Sequence, residues 1–218
     1  MKSVHLLAIG SFGRAVADEM EAMLDPVPVR VTAQPGAASR PDELPELYLA
    51  AAVVVLAGRP VPAITEWVDE VSFASGVPWL PVIVESTVLR TGPLVVPGRS
   101  ACYRCFLLRM HQHSPTPAVE LALAGHYRAS AADEPYGYLP GTVALAASTG
   151  SDAVDRALAA PATGTGQVRQ RDLVSGRLTR GQVVGIHGCN RCGLHRDERS
   201  RSTVDLRQAM SEVLAWTS

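Results

Sequence analysis

A chain of 218 residues, 47% hydrophobic and 19% charged, has the size and composition of one well-packed globular domain, which excludes disordered and fibrous classes. Its formal charge of −1 supplies no field that would hold nucleic acid or an anionic membrane. No apolar run reaches the ~20 residues that span a bilayer, and the apolar start, Val4 to Ile9, is too short for a signal-peptide core, so a cytoplasmic protein is expected.

Val4 to Ile9 reads as a buried strand. Gly10-Ser-Phe-Gly13 follows as a turn, and Ala15, Val16, Met20, Met23 and Leu24 then recur at helical spacing within Arg14 to Leu24. Val27 to Thr32 is the next short strand, and Pro35 to Pro45 is loop-like. Ala51 to Ala57 is a continuous apolar run of the kind that forms a central parallel strand, Ala63 to Ala74 an amphipathic helix, and Trp79 to Glu85 another strand. Three repeats of strand followed by helix or turn predict a parallel sheet covered by helices.

The texture changes after Glu85. Leu94 to Val96 is a brief strand between Gly92-Pro93 and Pro97-Gly98. Cys102 to His113 and Ala118 to Arg128 are helical, separated by Ser114-Pro-Thr-Pro117, and Thr142 to Ala159 is a long helix under the sheet. Gln167 to Leu173 and Leu178 to Ile186 flank Val174-Ser-Gly-Arg177 as an antiparallel hairpin, and Ser202 or Thr203 caps a last helix through Trp216. The arginine-rich stretch from Arg191 to Arg207 reads as solvated surface, and its members Arg196, Arg199 and Arg201 are a candidate contact for an acidic peptide.

All four cysteines lie in Cys-x-x-Cys pairs, Cys102-Tyr-Arg-Cys105 and Cys189-Asn-Arg-Cys192. Two intervening residues let both sulfurs turn toward one ion, and two such knuckles complete a tetrahedral four-sulfur shell suited to Zn²⁺. A shell with no open position is structural. Two disulfides, four unrelated thiols or a thioredoxin-type redox pair are the alternatives; disulfides need an oxidising compartment, and a redox pair leaves one knuckle unexplained. His111, His113, His187 and His195 are near enough in sequence to act as ligands, but with four cysteines present they read as surface or core histidines.

Gly10 and Gly13 stand where a nucleotide phosphate would be cradled, after a strand and before a helix. The three-glycine fingerprint is incomplete, because Phe12 and Ala15 occupy its other two glycine positions. No carboxylate ends the second strand to hold ribose hydroxyls, and Ala57-Gly58-Arg59 ends the third without an acid for a metal. ATP is therefore not expected to bind, an NAD-dependent oxidoreductase is disfavoured, and Gly13→Ala should be mild.

These features in this order resemble the E1-like (ThiF/MoeB) superfamily: the Rossmann-like start, Gly92-Pro-Leu-Val-Val-Pro-Gly98, Ala101-Cys-Tyr-Arg-Cys105, Tyr138-Leu-Pro-Gly141 leading into a helix, the hairpin, and Gly188-Cys-Asn-Arg-Cys-Gly193. Within it, Pro97-Gly-Arg-Ser-Ala-Cys-Tyr-Arg-Cys105 is most similar to the ThiF-like cyclodehydratase partner, or "C protein", of azole- and azoline-modified ribosomal peptide biosynthesis. The resemblance implies an α/β, Rossmann-like E1/ThiF-type fold with a mainly parallel sheet, a C-terminal antiparallel hairpin and a tetracysteine zinc site. It implies one domain over 1–218: a Rossmann-like half, 1–90, a zinc-framed half, 91–195, and a tail helix, 196–218.

It further implies a non-catalytic subunit that presents a ribosomal precursor peptide to an ATP-using YcaO cyclodehydratase, and homodimers are common in the superfamily. Family members often begin with a winged-helix peptide-binding domain. The sequence here starts at the first strand, so a separate leader-recognition protein, or a purely scaffolding role, is expected. Active adenylating relatives carry an arginine- and asparagine-rich segment after the second strand, where Pro35 to Pro45 offers only Arg40. An adenylating enzyme acting on a peptide carboxyl terminus and a stand-alone zinc-stabilised binding protein are the alternative readings.

Overall fold

The computed structural model describes residues 2–34, 44–129, 137–159 and 165–193. The elements in chain order are β1 (Val4–Ile9), α1 (Gly10–Met23), β2 (Val29–Gln34), a 3-10 helix (Pro45–Leu49), β3 (Ala52–Ala57), α2 (Pro62–Ser75), β4 (Trp79–Glu85), β5 (Val88–Thr91), α3 (Tyr103–His113), α4 (Pro117–Ala129), α5 (Pro140–Ala159), β6 (Gln167–Asp172) and β7 (Leu178–Gln182). The seven strands form one sheet in the order β2-β1-β3-β4-β5-β6-β7.

Parallel pairing runs only from β2 to β4, and every pairing beyond β4 is antiparallel, so the sheet is mixed and not mainly parallel. The difference arises at β5, which the sequence reading left unassigned. Its four residues return from β4 through Ser86-Thr87, with Ser86 at φ 55°, and carry no Asn-Gly or Asp-Gly signal. The expected strand Leu94 to Val96 is reduced to a single bridge between Trp79 and Val95. The last helix, from Ser202 or Thr203 to Trp216, lies outside the described residues.

Helices cover both faces of the sheet. Val4, Leu6 and Ala8 of β1, Val54 and Leu56 of β3, and Leu80 and Val82 of β4 pack against Val16 and Met20 of α1 and Ala146, Ala147 and Val154 of α5. The alternate residues Leu7, Val53, Val55, Trp79 and Ile83 pack against Ile64, Trp67 and Val68 of α2 and Tyr103 and Phe106 of α3. A strand buried on both faces cannot alternate apolar with polar residues, which is why β3 is an unbroken apolar run and β1 is broken only by His5, whose ring bonds the Thr32 hydroxyl of β2 at 2.8 Å. Helix α4 contributes no buried residue. Among the described residues no helix is long and apolar enough to cross a membrane.

The glycine turn differs from expectation. Helix α1 begins at Gly10 itself, whose φ is +69°, and not at Arg14. Gly13 lies against the neighbouring strand, where an added Cβ would stand 2.4 Å from the Leu56 carbonyl oxygen and 3.2 Å from the Ala8 carbonyl carbon. Both are backbone atoms and cannot yield like a side-chain tip. The expectation that Gly13→Ala is mild is therefore corrected: close helix–strand packing requires the glycine, whatever the ligand. Gly13→Ala is predicted to destabilise the fold by about 3 kcal/mol through overpacking. Gly125→Ala, in α4 with nothing within 4 Å of the added atom, should stabilise by about 0.5–1 kcal/mol. Urea unfolding midpoints at unchanged slope check both.

Candidate metal centre and the cleft beside the first helix

Cys102 directly precedes α3 and Cys105 lies in its first turn, so the three-residue step sets both sulfurs on one side of the helix start. The second pair sits in the turn after β7, which is closed by bonds from the Cys189 N–H to the Ile186 carbonyl (3.1 Å) and from the Gly193 N–H to the Cys189 carbonyl (3.3 Å). The sulfurs of Cys102 and Cys105 are 3.7 Å apart, those of Cys102 and Cys189 3.6 Å, and those of Cys105 and Cys192 3.7 Å. All four lie within 4.8 Å of one another.

A disulfide needs about 2.05 Å between sulfurs, so these separations set aside the disulfide alternative. A tetrahedral ion with metal–sulfur bonds of about 2.3 Å has sulfur–sulfur edges of about 3.8 Å, which the measured edges approach. The donor set thus fits a structural metal ion, held by Cys102, Cys105, Cys189 and Cys192. Histidine is not needed: the cluster is complete in sulfur, and His195 lies outside the described residues.

The thiols occupy unlike surroundings. Cys102 and Cys105 are fully buried, while Cys189 and Cys192 are half-buried. Burial pushes the Cys105 thiol up to about 11 despite a bond from the Ile186 N–H, and it raises Cys102 further. Cys189 is also opposed by burial, but the N–H groups of Cys192 and Arg191 and the neighbouring Cys105 and Cys102 thiols bring it down to about 6. A metal must displace the protons of the raised Cys102 and Cys105 thiols, which makes its binding pH-dependent.

The residues between the cysteines fasten the knuckles to the domain. Arg104 donates to the Asn190 side chain at 3.2 Å. Arg191 reaches α2, with Glu70 at 3.1 Å and Asp69 at 3.5 Å. Arg191 is therefore not part of a solvated run, as the sequence reading had it; Arg196, Arg199 and Arg201 lie outside the described residues.

Asp69 is almost wholly buried, and burial raises its pKa against the opposing effects of its partners. It accepts from the Tyr103 N–H at 3.1 Å and from the Trp79 indole at 3.2 Å. One carboxylate thus satisfies an open amide at the start of α3 and ties together α2, β4 and the second knuckle. Sequence reading missed it. Its signal was an acid on the apolar face of α2, four residues after Thr65 and one after Val68.

Arg90 was missed as well. Its fully buried guanidinium bonds the Glu85 carboxylate at 3.0 and 2.5 Å, the Gly92 carbonyl, and the Tyr103 hydroxyl at 3.1 Å, and it stacks on Phe106 at 4.8 Å. It anchors α3, and so the first knuckle, to β5.

Gly10 belongs to a second feature, a cavity of about 630 Å³ at the C-terminal ends of β1 and β3. That position, and that volume, are typical of ligand sites in open α/β sheets. Ser11, Phe12, Gly58, Arg59, Tyr127, Tyr138 and Thr142 help line it, and the described lining holds no carboxylate. The Phe12 ring fills the place of the second fingerprint glycine, against Gly58 and edge-on to Tyr138 with centroids 5.6 Å apart. β2 ends at Gln34 without an acid, and Arg40 lies outside the described residues.

No protein-family model and no curated protein matches the sequence. Solved structures do match in shape. The heterocyclase TruD aligns with a TM-score of 0.58 at 20% identity over 92% of this chain and 29% of its own. The E. coli microcin synthetase McbBCD complex aligns at 0.61 and 12% identity over 87% of this chain and 68% of that chain. E. coli MccB aligns at 0.57 and 15% identity over 88% and 64%. This chain spans only 25% of a further heterocyclase, solved in complex with substrate and cofactor. The chain thus shares the fold of a segment of heterocyclases and of microcin-synthesising proteins.

Proposed function

We propose that this chain is an E1-like, non-catalytic subunit that presents a ribosomal precursor peptide to an ATP-dependent YcaO-type cyclodehydratase in azole or azoline peptide biosynthesis. The observation that carries the reading is the pairing of a complete four-sulfur frame with a cleft that lacks the close-approach glycine and the strand-end acids. Phe12 occupies the close-approach position, and neither β2 nor β3 ends in an acid. The shared fold with the heterocyclase TruD and the McbBCD synthetase supports the same pathway class.

In this reading the first half is Rossmann-like, and the whole of 1–218 serves as one unit in the cytoplasm. The metal is zinc, held by Cys102, Cys105, Cys189 and Cys192, and it fixes the 186–193 turn against α3 without taking part in any reaction. The chain's own residues bind and position; the partner supplies the ATP chemistry. Substrate delivery involves a separate leader-recognition protein.

A second reading, an adenylating enzyme acting on a peptide carboxyl terminus, is favoured by one observation: the 630 Å³ cavity stands open at the nucleotide position of the sheet. With all four cysteines committed to metal, no thiol in the sequence remains to form a thioester.

Calorimetric titration of the zinc-loaded protein with Mg-ATP separates the two. No detectable heat of binding is predicted; a micromolar dissociation constant would put the adenylating reading first. Co-expression with a YcaO-type protein should give co-elution on size exclusion, and two separate peaks would contradict the proposal. Cys102→Ser or Cys189→Ser should take bound zinc from about one ion per chain to none and leave poorly soluble protein, because binding and folding are coupled. Wild-type protein that is folded but metal-free by elemental analysis would overturn the zinc assignment.

A further inference from the structure

Strand β7 closes the sheet, and among the described residues nothing pairs with its outer edge. All five of its residues are exposed. The ladder to β6 sets which backbone groups face outward. The Val183 N–H bonds the Gly166 carbonyl at 2.8 Å and the Asp172 N–H bonds the Arg177 carbonyl at 2.9 Å. With the β6–β7 register, residues 177, 179, 181 and 183 turn their backbone groups toward β6. Leu178, Arg180, Gln182 and Val184 turn theirs away from the sheet.

Sheet edges are ordinarily guarded by charge, proline or bulges, because a bare row of amides and carbonyls pairs with any extended chain. Here Arg180 is the only charge on the outward row, and the residues at its two ends are apolar: Leu178 is 40% and Val184 68% exposed.

Beside this edge a groove of about 570 Å³ runs between α3 and the hairpin. Phe106, Met110, Val168 and Val183 form its apolar part. Arg109 and His113 supply its ionisable side chains, and the described lining contains no carboxylate; Arg180, opposite Arg169 in the ladder, directs its side chain to the other face of the strand. Arg109 is incompletely satisfied: one terminal nitrogen donates to Gln112 at 3.0 Å, while its buried Nε–H has no partner. With no carboxylate in the described lining, the Arg109 guanidinium leaves the groove positively charged, which favours an acidic occupant.

We propose that this edge and groove dock an extended acidic segment of a peptide partner, added as an eighth strand beside β7. Its backbone pairs with residues 178, 180, 182 and 184. One set of its alternate side chains meets the apolar groove, and the carboxylates of the other set meet Arg180 on the opposite face of the strand. The assignment rests on the peptide-presenting reading above and gives it a location, distinct from the cleft beside α1.

The test uses full-length zinc-loaded protein and two fluorescein-labelled synthetic peptides with blocked ends, one alternating glutamate with valine and one alternating lysine with valine, titrated by fluorescence anisotropy. The glutamate peptide should bind saturably, at least about tenfold more tightly than the lysine peptide. Gln182→Pro removes one outward N–H, leaves the ladder to β6 intact, and should weaken binding by about tenfold. Arg180→Gln should weaken the glutamate peptide by a similar factor and not weaken the lysine peptide. Circular dichroism and thermal melting confirm that both variants fold.

Absence of saturable binding, or affinity unaltered in both folded variants, would overturn the site. A wild-type dimer split by Gln182→Pro would also overturn it, by assigning the edge to a second copy. Co-elution with the YcaO-type protein, measured on the same preparations, separates the failures: an intact complex without peptide binding removes only this site, whereas loss of the complex removes the reading beneath it.

Discussion

Four sulfurs from opposite ends of the domain's second half meet within 4.8 Å, although the facing cysteines are 87 residues apart in the chain. Thiolates brought this close repel one another, and thiols this deeply buried resist losing their protons. A divalent cation reverses both effects by accepting all four pairs of electrons at one point. In the chain-entropy treatment, a cross-link closing a loop of that length is worth about 4–5 kcal/mol against the unfolded state, on the scale of a small domain's whole stability. The site is also braced without the ion. Asp69 holds the start of α3, the Trp79 indole and Arg191 through a single carboxylate, and Arg90 holds α3 from the side of β5.

This bracing explains what the sequence revealed and what it hid. The metal ligands were legible because Cys-x-x-Cys is a local pattern whose spacing states its own geometry. The strands β1, β3 and β4 were legible because burial on both faces forces a nearly continuous apolar run. Asp69 and Arg90 were not, since a single charge inside an apolar segment has no meaning until its partners, Tyr103 and Arg191 for Asp69 and Glu85 and Tyr103 for Arg90, are placed. Strand β5 escaped for a related reason. Four residues after a two-residue turn carry too little periodicity, and the pairing to β6 that completes them comes from residues 169–172. With β5 hidden, the reversal of sheet direction after β4 was hidden too.

Gly13 separates a conformational need from a functional one. A glycine between a first strand and a first helix invites a phosphate-binding interpretation. Its close approach to the Leu56 carbonyl supplies a sufficient packing reason, which holds with or without a nucleotide. The chemistry has to be read from the rest of the cleft, where Phe12 stands in place of a glycine and the strand ends lack acids. Fold alone leaves function open. This chain carries a four-sulfur metal frame, a cleft at the strand ends whose described lining holds no carboxylate, and a last strand whose outer edge nothing pairs among the described residues.

The most direct measurement of the central claim is X-ray absorption at the zinc edge of protein purified without added metal. Four sulfur scatterers at about 2.3 Å, with no nitrogen or oxygen in the shell, is the predicted result. A mixed shell of sulfur with lighter ligands, or an open coordination position occupied by water, would contradict a closed structural site and return the cysteines to the candidates for chemistry.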